Sequence, residues 1–286
     1  MPIHPIQIKL NNKLIDLSLP IVMGIVNATP DSFFNGNSFT TNKGIMQCVD
    51  KIIIDGGKII DVGGYSTRPN SKDVAPDEEI RRVSEALLII LKKYPDAIIS
   101  LDTFRSSVVR QVAKNFPIAI VNDISGGTLD PFMFETIADL KPAYVLTHFR
   151  GVLQTMHQQE DYKHVVSEVI LFLEKRLTQL RLLGVNDVII DPGFGFAKTT
   201  KHNFEILRKL SYFDTINAPL LAGISRKSML YKSLKINPTE ALNATTAANM
   251  LALIGGASIL RVHDVKPAVE AILLFHQYYD ISFDSM

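Results

Sequence analysis

Short apolar segments recur along the chain, and each is followed by a polar cluster and then by a stretch with helical periodicity. The segments rich in Val, Ile and Leu are IVMGIVN, KIIDVGG, AIISLDT, IAIVNDI, AYVLTHF, DVIIDPG, PLLAGIS and SILRVHD. They show little alternation of apolar and polar residues, which is typical of parallel strands that are buried on both faces. Amphipathic stretches between them predict helices, among them 78–93, 106–115, 162–183 and 239–253.

Strands that alternate with helices indicate βαβ units and an α/β protein. Eight such units in about 260 residues predict a (β/α)8 TIM barrel. A doubly wound open sheet is the alternative, although such sheets rarely need eight strands so evenly spaced. Residues 6–17 predict a small hairpin that turns at Asn11 and Asn12, ahead of the first barrel strand. Because no linker or composition break interrupts the chain, we expect a single domain over residues 1–286.

Composition narrows the class of protein. The 286 residues are 47% hydrophobic and carry a net charge of +1, a balance that gives no support to nucleic-acid or membrane binding. Cys48 is the single cysteine, so no internal disulfide can form, and the chain suits a reducing cytosol. Neither a signal peptide nor an apolar run long enough to cross a bilayer is visible. We therefore expect a soluble, cytoplasmic protein.

Polar residues follow the predicted strands at the end where barrels of this type carry their sites. In order these are Asn27; Thr67-Arg68; Asp102; Asn122-Asp123; Thr147-His148; Asp191; Ser225-Arg226-Lys227; and Arg261-Val262-His263-Asp264. Any one of them could be a helix cap or a turn former. Eight strand ends in register are hard to explain by capping alone, and they predict a polar pocket. For His148 a structural role and a catalytic role are equally open.

The residue types indicate what this pocket binds. Asp102, Asn122 and Asp191 offer carboxylate and amide groups, which suit a flat heterocycle rich in hydrogen-bond donors. The ring of Phe196 and the guanidinium of Arg261 are candidate stacking surfaces. The pocket is therefore predicted to hold a planar ring.

Cationic groups and one amide indicate that the pocket also binds an anion and a metal ion. Arg68, Arg261 and His263 are suited to a multiply charged anion, and the carbonyl oxygen of Asn27 suits Mg²⁺ better than a softer metal. No zinc-spaced Cys/His cluster, no GxGxxG after a strand and no GxxxxGK[ST] loop is present. The GISRKS segment lacks the second glycine of a nucleophile elbow, because Lys227 occupies that position.

Seven motifs occur in order at the strand ends: GIVNATPDSF, DVGGYSTRP, SLDT, VNDISGG, DPGFGFAKT, GISRKS and LRVHDV. Together they resemble the dihydropteroate synthase family over essentially the whole chain. That family joins a dihydropterin-methyl diphosphate to 4-aminobenzoate, and it makes 7,8-dihydropteroate for folate synthesis. The resemblance implies a transferase with Mg²⁺ as cofactor, two small-molecule substrates and a homodimeric assembly.

The family's binding residues carry over to this chain one by one. Those that would hydrogen-bond the pterin are Asp102, Asn122, Asp191 and Lys227, with Phe196 and Arg261 on its two faces. Those that would hold the diphosphate are Asn27, Arg68, Arg261 and His263, with Asn27 also a ligand of Mg²⁺. Those that would line the 4-aminobenzoate side are Phe33, Thr67, Pro69 and Ser225.

The resemblance also implies a mechanism in which the bond to the diphosphate breaks first. The pterin-methyl cation that remains is then attacked by the aromatic amine. The groups that would act in catalysis are Asp31, Arg68, Lys227, Arg261 and His263. The apolar loop that holds Phe33, Phe34 and Phe39 would close over the aromatic substrates and exclude water.

The chain departs from the family pattern at three places. Asn35 stands where the first loop commonly has an acid, Tyr65 stands for Glu, and Thr147 and Phe149 stand for methionines. We expect Asp31 to take the role of the missing loop acid. The threonine and phenylalanine alter a wall near the expected pterin position.

Two other functions remain open from the sequence. A methyltetrahydrofolate-dependent methyltransferase would share the pterin-holding Asp and Asn residues, but it has no diphosphate to hold. The SRK and RVHD segments therefore favour the synthase. A pterin-binding barrel without turnover is the second alternative, and an assay of diphosphate release separates it from the enzyme.

Overall fold

The computed structural model of the chain describes residues 7–11, 13–29, 33–34, 37–38, 42–65, 73–152 and 161–279. In chain order the strands are β1 (Gln7–Leu10), β2 (Lys13–Asp16), β3 (Ile21–Asn27), β4 (Phe33–Phe34), β5 (Asn37–Ser38), β6 (Ile59–Gly63), β7 (Ile98–Asp102), β8 (Ile120–Asp123), β9 (Ala143–Thr147), β10 (Val188–Asp191), β11 (Leu221–Ala222) and β12 (Ile259–Val262). The helices are α1 (Asn42–Ile54), α2 (Pro76–Lys93), α3 (Ser106–Ala113), α4 (Met133–Leu140), α5 (Val165–Leu182), α6 (Thr200–Arg208), α7 (Ser228–Leu234), α8 (Leu242–Ile254) and α9 (Val265–Tyr278). Two 3₁₀ helices are also present, η1 (Leu210–Ile216) and η2 (Pro238–Glu240).

Eight parallel strands form the central sheet. Their spatial order is β3, β6, β7, β8, β9, β10, β11 and β12, and β12 pairs back onto β3. A parallel bridge between Ile190 and Leu220 joins β10 to the segment that leads into β11. The predicted (β/α)8 barrel is therefore confirmed, and each predicted strand segment contains one of these strands.

Side chains of the barrel strands alternate between two apolar clusters, as the strand period of two requires. In β9, Tyr144 and Leu146 belong to the large cluster beneath the surrounding helices. Ala143 and Val145 belong to the smaller cluster, to which the barrel strands contribute inward-facing residues. A polar residue two positions beyond an inward-facing residue of the same strand, at the C-terminal rim, therefore also faces the barrel axis.

The N-terminal hairpin is also confirmed. Strands β1 and β2 pair antiparallel, and Asn11 takes a positive φ of 47° in the turn between them. Ile8 and Leu10 join the inner cluster and cover it from the N-terminal end of the barrel. The backbone N–H of Lys9 donates to the Asp187 carboxylate at 2.8 Å, which ties the hairpin to the start of β10. The opposite rim is left for the functional site.

The helices have the amphipathic character that the sequence predicts. Helix α2 begins with a proline in its first turn and has Asp77, Glu78 and Glu79 there, which suits the positive end of the helix dipole. Lys92 and Lys93 occupy its last turn, where the dipole favours positive charge. Among the helices of the described ranges, none is both long enough and apolar enough to span a bilayer.

Candidate active site

The strand ends gather most of the candidate residues on one rim of the barrel. Those in the described ranges are Asn27, Asp102, Asn122, Asp191, Phe196, Ser225, Lys227, Arg261 and His263. All of them lie on barrel strands or in the segments that directly follow, and parallel strands bring these ends together. Five candidates lie outside the described part: Asp31, Thr67, Arg68, Pro69 and the side chain of Phe33.

A buried ion-pair network crosses the barrel near this rim. Arg261 donates to Asp61 through Nε at 2.6 Å and to Asp102 through Nη2 at 2.5 Å. Asp61 also accepts from Ser100 at 2.6 Å and from the amide of Asn122 at 3.0 Å. Because every one of these groups has a charged or polar partner, the burial of Asp61 is compensated. Two carboxylates thus pair with the N–H edge of the Arg261 guanidinium, and such in-plane hydrogen bonds leave its planar faces for stacking.

Asp61 was not among the sequence candidates, although the sequence carried a signal for it. It stands in the middle of the apolar segment KIIDVGG, and an acid in a fully buried strand requires a partner. That partner, Arg261, lies 200 residues away in sequence and could not be identified without the barrel geometry.

Asp191, Lys227 and Phe196 meet at the end of β10. The Asp191 carboxylate accepts the backbone N–H of Gly193 at 2.7 Å. Lys227 donates to the carbonyl of Phe194, and its Nζ lies 4.8 Å from the centre of the Phe196 ring. Burial raises the pKa of Asp191, while the Lys227 ammonium opposes that effect. Burial also lowers the pKa of Lys227 to about 8. The pair therefore offers an acceptor and a donor side by side.

Lys198, which sequence reasoning missed, supports this arrangement from below. Its ammonium contacts three acceptors: His148 Nδ1 at 2.9 Å, the Gly193 carbonyl at 2.9 Å and the Phe196 carbonyl at 3.1 Å. Burial lowers the pKa of Lys198 to about 7, and it lowers the pKa of His148 well below the usual range. A neutral imidazole that accepts at Nδ1 carries its proton on Nε2. His148 therefore has a structural contact, and Lys198 holds the segment with Phe196 against the end of β9.

The segments after β11 and β12 are joined in two ways. The Ser225 hydroxyl lies 3.1 Å from His263 Nδ1 and also accepts the backbone N–H of His263 at 3.3 Å. Arg226 forms a two-point ion pair with Asp264, at 2.7 Å through Nε and 3.0 Å through Nη2. Arg226 adopts a positive φ of 54°, which is uncommon for a residue other than glycine. Ser225, Lys227 and His263 are thus fixed relative to one another.

Tyr65, where the family pattern has Glu, contacts a cation on the neighbouring strand end. The Arg105 guanidinium lies 5.0 Å from the centre of its ring. Arg105 also donates to buried Glu79 at 2.7 Å and to the carbonyl of Val74 at 2.7 Å. The tyrosine therefore keeps a favourable contact with positive charge at this place, through its π-system.

Comparison with known proteins shows the family to which this fold belongs. The family model described as "Pterin binding enzyme" matches residues 23–263. Dihydropteroate synthase from Haemophilus influenzae is 39% identical over 258 residues, which is 89% of this chain and 92% of the relative. The Escherichia coli (strain K12) dihydropteroate synthase is 38% identical over 90% of this chain and 91% of its own length.

Solved structures are similar over almost the whole chain. A Yersinia pestis dihydropteroate synthase in complex with a sulfonamide drug has a TM-score of 0.90 at 31% identity, and the match covers 96% of this chain and all of that one. A Xanthomonas albilineans dihydropteroate synthase with 4-aminobenzoic acid has a TM-score of 0.88 at 32% identity, with 98% of this chain covered and 100% of that one. Fold and rim thus define a pterin-binding barrel. Within that class, the chain belongs to the dihydropteroate synthase family.

Proposed function

We propose that the chain catalyses the reaction of its family. A dihydropterin-methyl group is transferred from its diphosphate ester to the amino nitrogen of 4-aminobenzoate, and 7,8-dihydropteroate and diphosphate are formed. The observation that carries this proposal is the rim itself, where Asp102, Asn122 and Asp191 lie near the cations Lys227 and Arg261. Acceptors for a donor-rich ring next to cations for a leaving diphosphate are what this transfer requires.

Binding of the pterin would rest on buried hydrogen bonds. The Asp191 carboxylate uses one oxygen for the N–H of Gly193, so its remaining acceptor sites are available to the amino and ring N–H groups of a pterin. Lys227, next to Asp191, would donate to the ring carbonyl. Phe196 is half-buried beside Lys227 and would cover one face of the ring.

Cleavage would place the electron pair of the C–O bond on the departing diphosphate. Arg261 and His263 on the rim would stabilise that negative charge, together with Arg68. The pterin-methyl cation then accepts the lone pair of the aromatic amine, and the amine nitrogen loses a proton as the C–N bond is completed. Asp31 is proposed to place a negative charge near the cation. Exclusion of water would prevent hydrolysis of the cation.

Mg²⁺ fits the oxygen chemistry of this rim. Within the described ranges no three His, Cys, Asp or Glu side chains are grouped as ligands of a metal. The amide of Asn27 at the end of β3 suits a metal that takes few protein oxygens and completes its shell with substrate phosphate and water. We propose that Asn27 would hold it beside the diphosphate. Bound there, Mg²⁺ would neutralise charge on the leaving group.

An assay of diphosphate release tests the function directly. Purified protein is mixed with (7,8-dihydropterin-6-yl)methyl diphosphate, with and without 4-aminobenzoate and Mg²⁺. Release should require all three components. Pterin binding without release would instead indicate a binding protein without turnover, and a failure to bind the pterin diphosphate would refute the assignment.

Substitution of Asp191 tests the placement of the pterin. Asp191→Ala should abolish measurable binding of the pterin diphosphate in calorimetry, because orphaned donors cost roughly 1–3 kcal/mol each and more where charge is involved. Asp187→Ala is the matched control, since Asp187 directly precedes the N-terminal end of β10 and its carboxylate accepts the backbone N–H of Lys9 in the hairpin. Near-normal affinity in the Asp191 variant would show that the pterin binds elsewhere.

We further propose a homodimer that works in the cytoplasm. Phe204 on α6 and Leu251 and Ile254 on α8 expose large apolar side chains around a common groove, which association would cover. Sedimentation of the wild type and of Leu251→Asp tests this, and a dimer in the wild type that becomes monomeric in the variant is expected. The lone Cys48 is consistent with a reducing compartment.

A further inference from the structure

Thr147, the last residue of β9, holds a buried hydroxyl without a protein partner. Its side chain is only 1% exposed, and within the described part of the chain no donor or acceptor lies within hydrogen-bond reach of its Oγ1. Buried hydroxyl groups in native proteins nearly always have a partner, so each exception requires an explanation. Folding alone gives no reason for a hydroxyl at this position.

The strand geometry directs Thr147 toward the candidate site. Ala143 and Val145 of the same strand face the barrel interior, and the strand period of two places Thr147 in the same inward set. Thr147 is also in register with Asp191, the residue proposed to hold the pterin. Its methyl group lies toward Gly193, because a Cβ added there would be 3.3 Å from Cγ2 of Thr147.

Thr147 is buried to about the same extent as two residues that are proposed to bind the ligand. Asn122 and Asp191, the two most central candidates, are themselves only 2% and 6% exposed in this structure. A ligand that reaches Asp191 must therefore displace the groups that cover this layer, and it then arrives beside Thr147. The orphaned hydroxyl and the proposed pterin acceptor belong to one level of the barrel.

The chemistry of a pyrimidine-type edge explains what the hydroxyl would do. In a 2-amino-4-oxo pyrimidine the N–H donors are flanked by a carbonyl and a ring nitrogen, both of which accept. Asp191 takes the donors and Lys227 would donate to the carbonyl, so another neighbouring side chain must donate if the flanking ring nitrogen is to be paired. The family pattern that the chain resembles has methionine at this position, and a thioether cannot donate a hydrogen bond.

We propose that the Thr147 hydroxyl donates a hydrogen bond to the ring nitrogen that flanks the donors held by Asp191. Thr147 is then a specificity residue, and the assignment rests on the proposed function. No protein group in the described part of the chain pairs with the hydroxyl, and the bound heterocycle would supply a partner.

Thr147→Val tests this because valine keeps the shape and removes only the hydroxyl. The variant should bind (7,8-dihydropterin-6-yl)methyl diphosphate about threefold to tenfold more weakly in calorimetry. The same variant should show a higher urea midpoint in the absence of ligand, because an orphaned buried group has been removed. A purely structural role would move stability and affinity in the same direction.

Two further variants sharpen the comparison. Thr136→Val is the matched control, since Thr136 on the outer helix α4 is fully buried and its Oγ1 also lacks a partner in the described ranges. It should raise the urea midpoint without changing affinity. Thr147→Ser, which keeps the hydroxyl, should retain most of the wild-type affinity.

Each outcome decides a separate question. If Thr147→Val binds the pterin diphosphate as the wild type does, the inference on Thr147 is overturned while the proposed function stands. If Thr147→Val loses both stability and affinity, the threonine is structural and the inference is again overturned. If the wild type itself does not bind the pterin diphosphate, both the proposed function and this inference fail.

Discussion

The buried ammonium of Lys198 should make the protein more stable at pH 9 than at pH 7. Burial lowers its pKa from the usual 10.5 to about 7 in the folded chain. Between these two values the unfolded chain binds a proton that the folded chain has released. The free energy of unfolding must therefore rise with pH across this window.

The size of this effect follows from the two pKa values. At pH 7 the folded chain holds about half of the proton, whereas the unfolded chain holds all of it. At pH 9 the folded chain has released it, and the unfolded chain still binds it almost fully. Integration over these two pH units gives an increase in the free energy of unfolding of about 2 kcal/mol from Lys198 alone.

Lys198→Met removes the titrating group, and urea unfolding at pH 7 and pH 9 measures the result. Subtracting the increment of the variant from that of the wild type cancels groups that titrate in both, among them Lys227, whose pKa is about 8. The difference should be about 2 kcal/mol. Lys201→Met is the control, because Lys201 is exposed at the start of α6. Its increment should match the wild type.

Lys198→Gln serves as a second variant, because it keeps N–H donors for the carbonyls of Gly193 and Phe196 without a titrating group. It should lose the same increment as the methionine variant. Equal pH increments in the wild type and in both Lys198 variants would refute the reasoning. They would show that folding does not displace the proton of this lysine.

Three further substitutions test the packing around the rim. Gly193→Ala should lower the urea midpoint far more than Gly184→Ala. Both positions have positive φ, 69° and 79°, but a Cβ at Gly193 would lie 2.2 Å from a backbone carbonyl oxygen, whereas nothing lies within 4 Å of a Cβ at Gly184. Equal losses of stability in the two variants would contradict this. Tyr144→Phe should lower the free energy of unfolding in urea by about 1–3 kcal/mol, because the tyrosine hydroxyl donates to the fully buried Asp123 at 2.7 Å. An unchanged urea midpoint would show that Asp123 finds another donor. Arg226→Met should weaken diphosphate binding in calorimetry and leave the circular dichroism spectrum unchanged, because the ion pair of Arg226 with Asp264 fixes the segments after β11 and β12. Unaltered affinity would show that these segments hold their positions without the ion pair.

The barrel could be predicted because its strands are buried on both faces, and such strands have a distinct composition. Segment ends were less certain, and β11 shows why. The segment PLLAGIS was predicted as a strand, yet only Leu221–Ala222 is regular. Pro219 has no N–H for a ladder at one end, and Gly223 starts the turn toward Ser225 at the other.

The rim position of the candidate residues could also be predicted, because parallel strands bring their C-terminal ends together. The partners of those residues could not. Arg261 was expected to stack on a ring, which stays a prediction, and the sequence did not indicate that it also pairs with Asp61 and Asp102, which are distant in sequence. Lys198 was overlooked because its sequence neighbours do not reveal that three acceptors converge on its ammonium. Residue type and periodicity are local properties, whereas pairing depends on which strands become neighbours.

The ion pairs of Arg261 also determine the stage of folding at which the rim of the barrel is completed. Arg261 lies on the last barrel strand, 200 and 159 positions after Asp61 and Asp102. Contacts of such long sequence separation form late, because the entropy of closing the intervening chain must be lost first. A growing chain on the ribosome has both acids well before it has their cation. Because Arg261 is proposed to hold substrate, binding should begin only after the final strand has been inserted, and pterin ligands should then stabilise fully closed molecules by mass action.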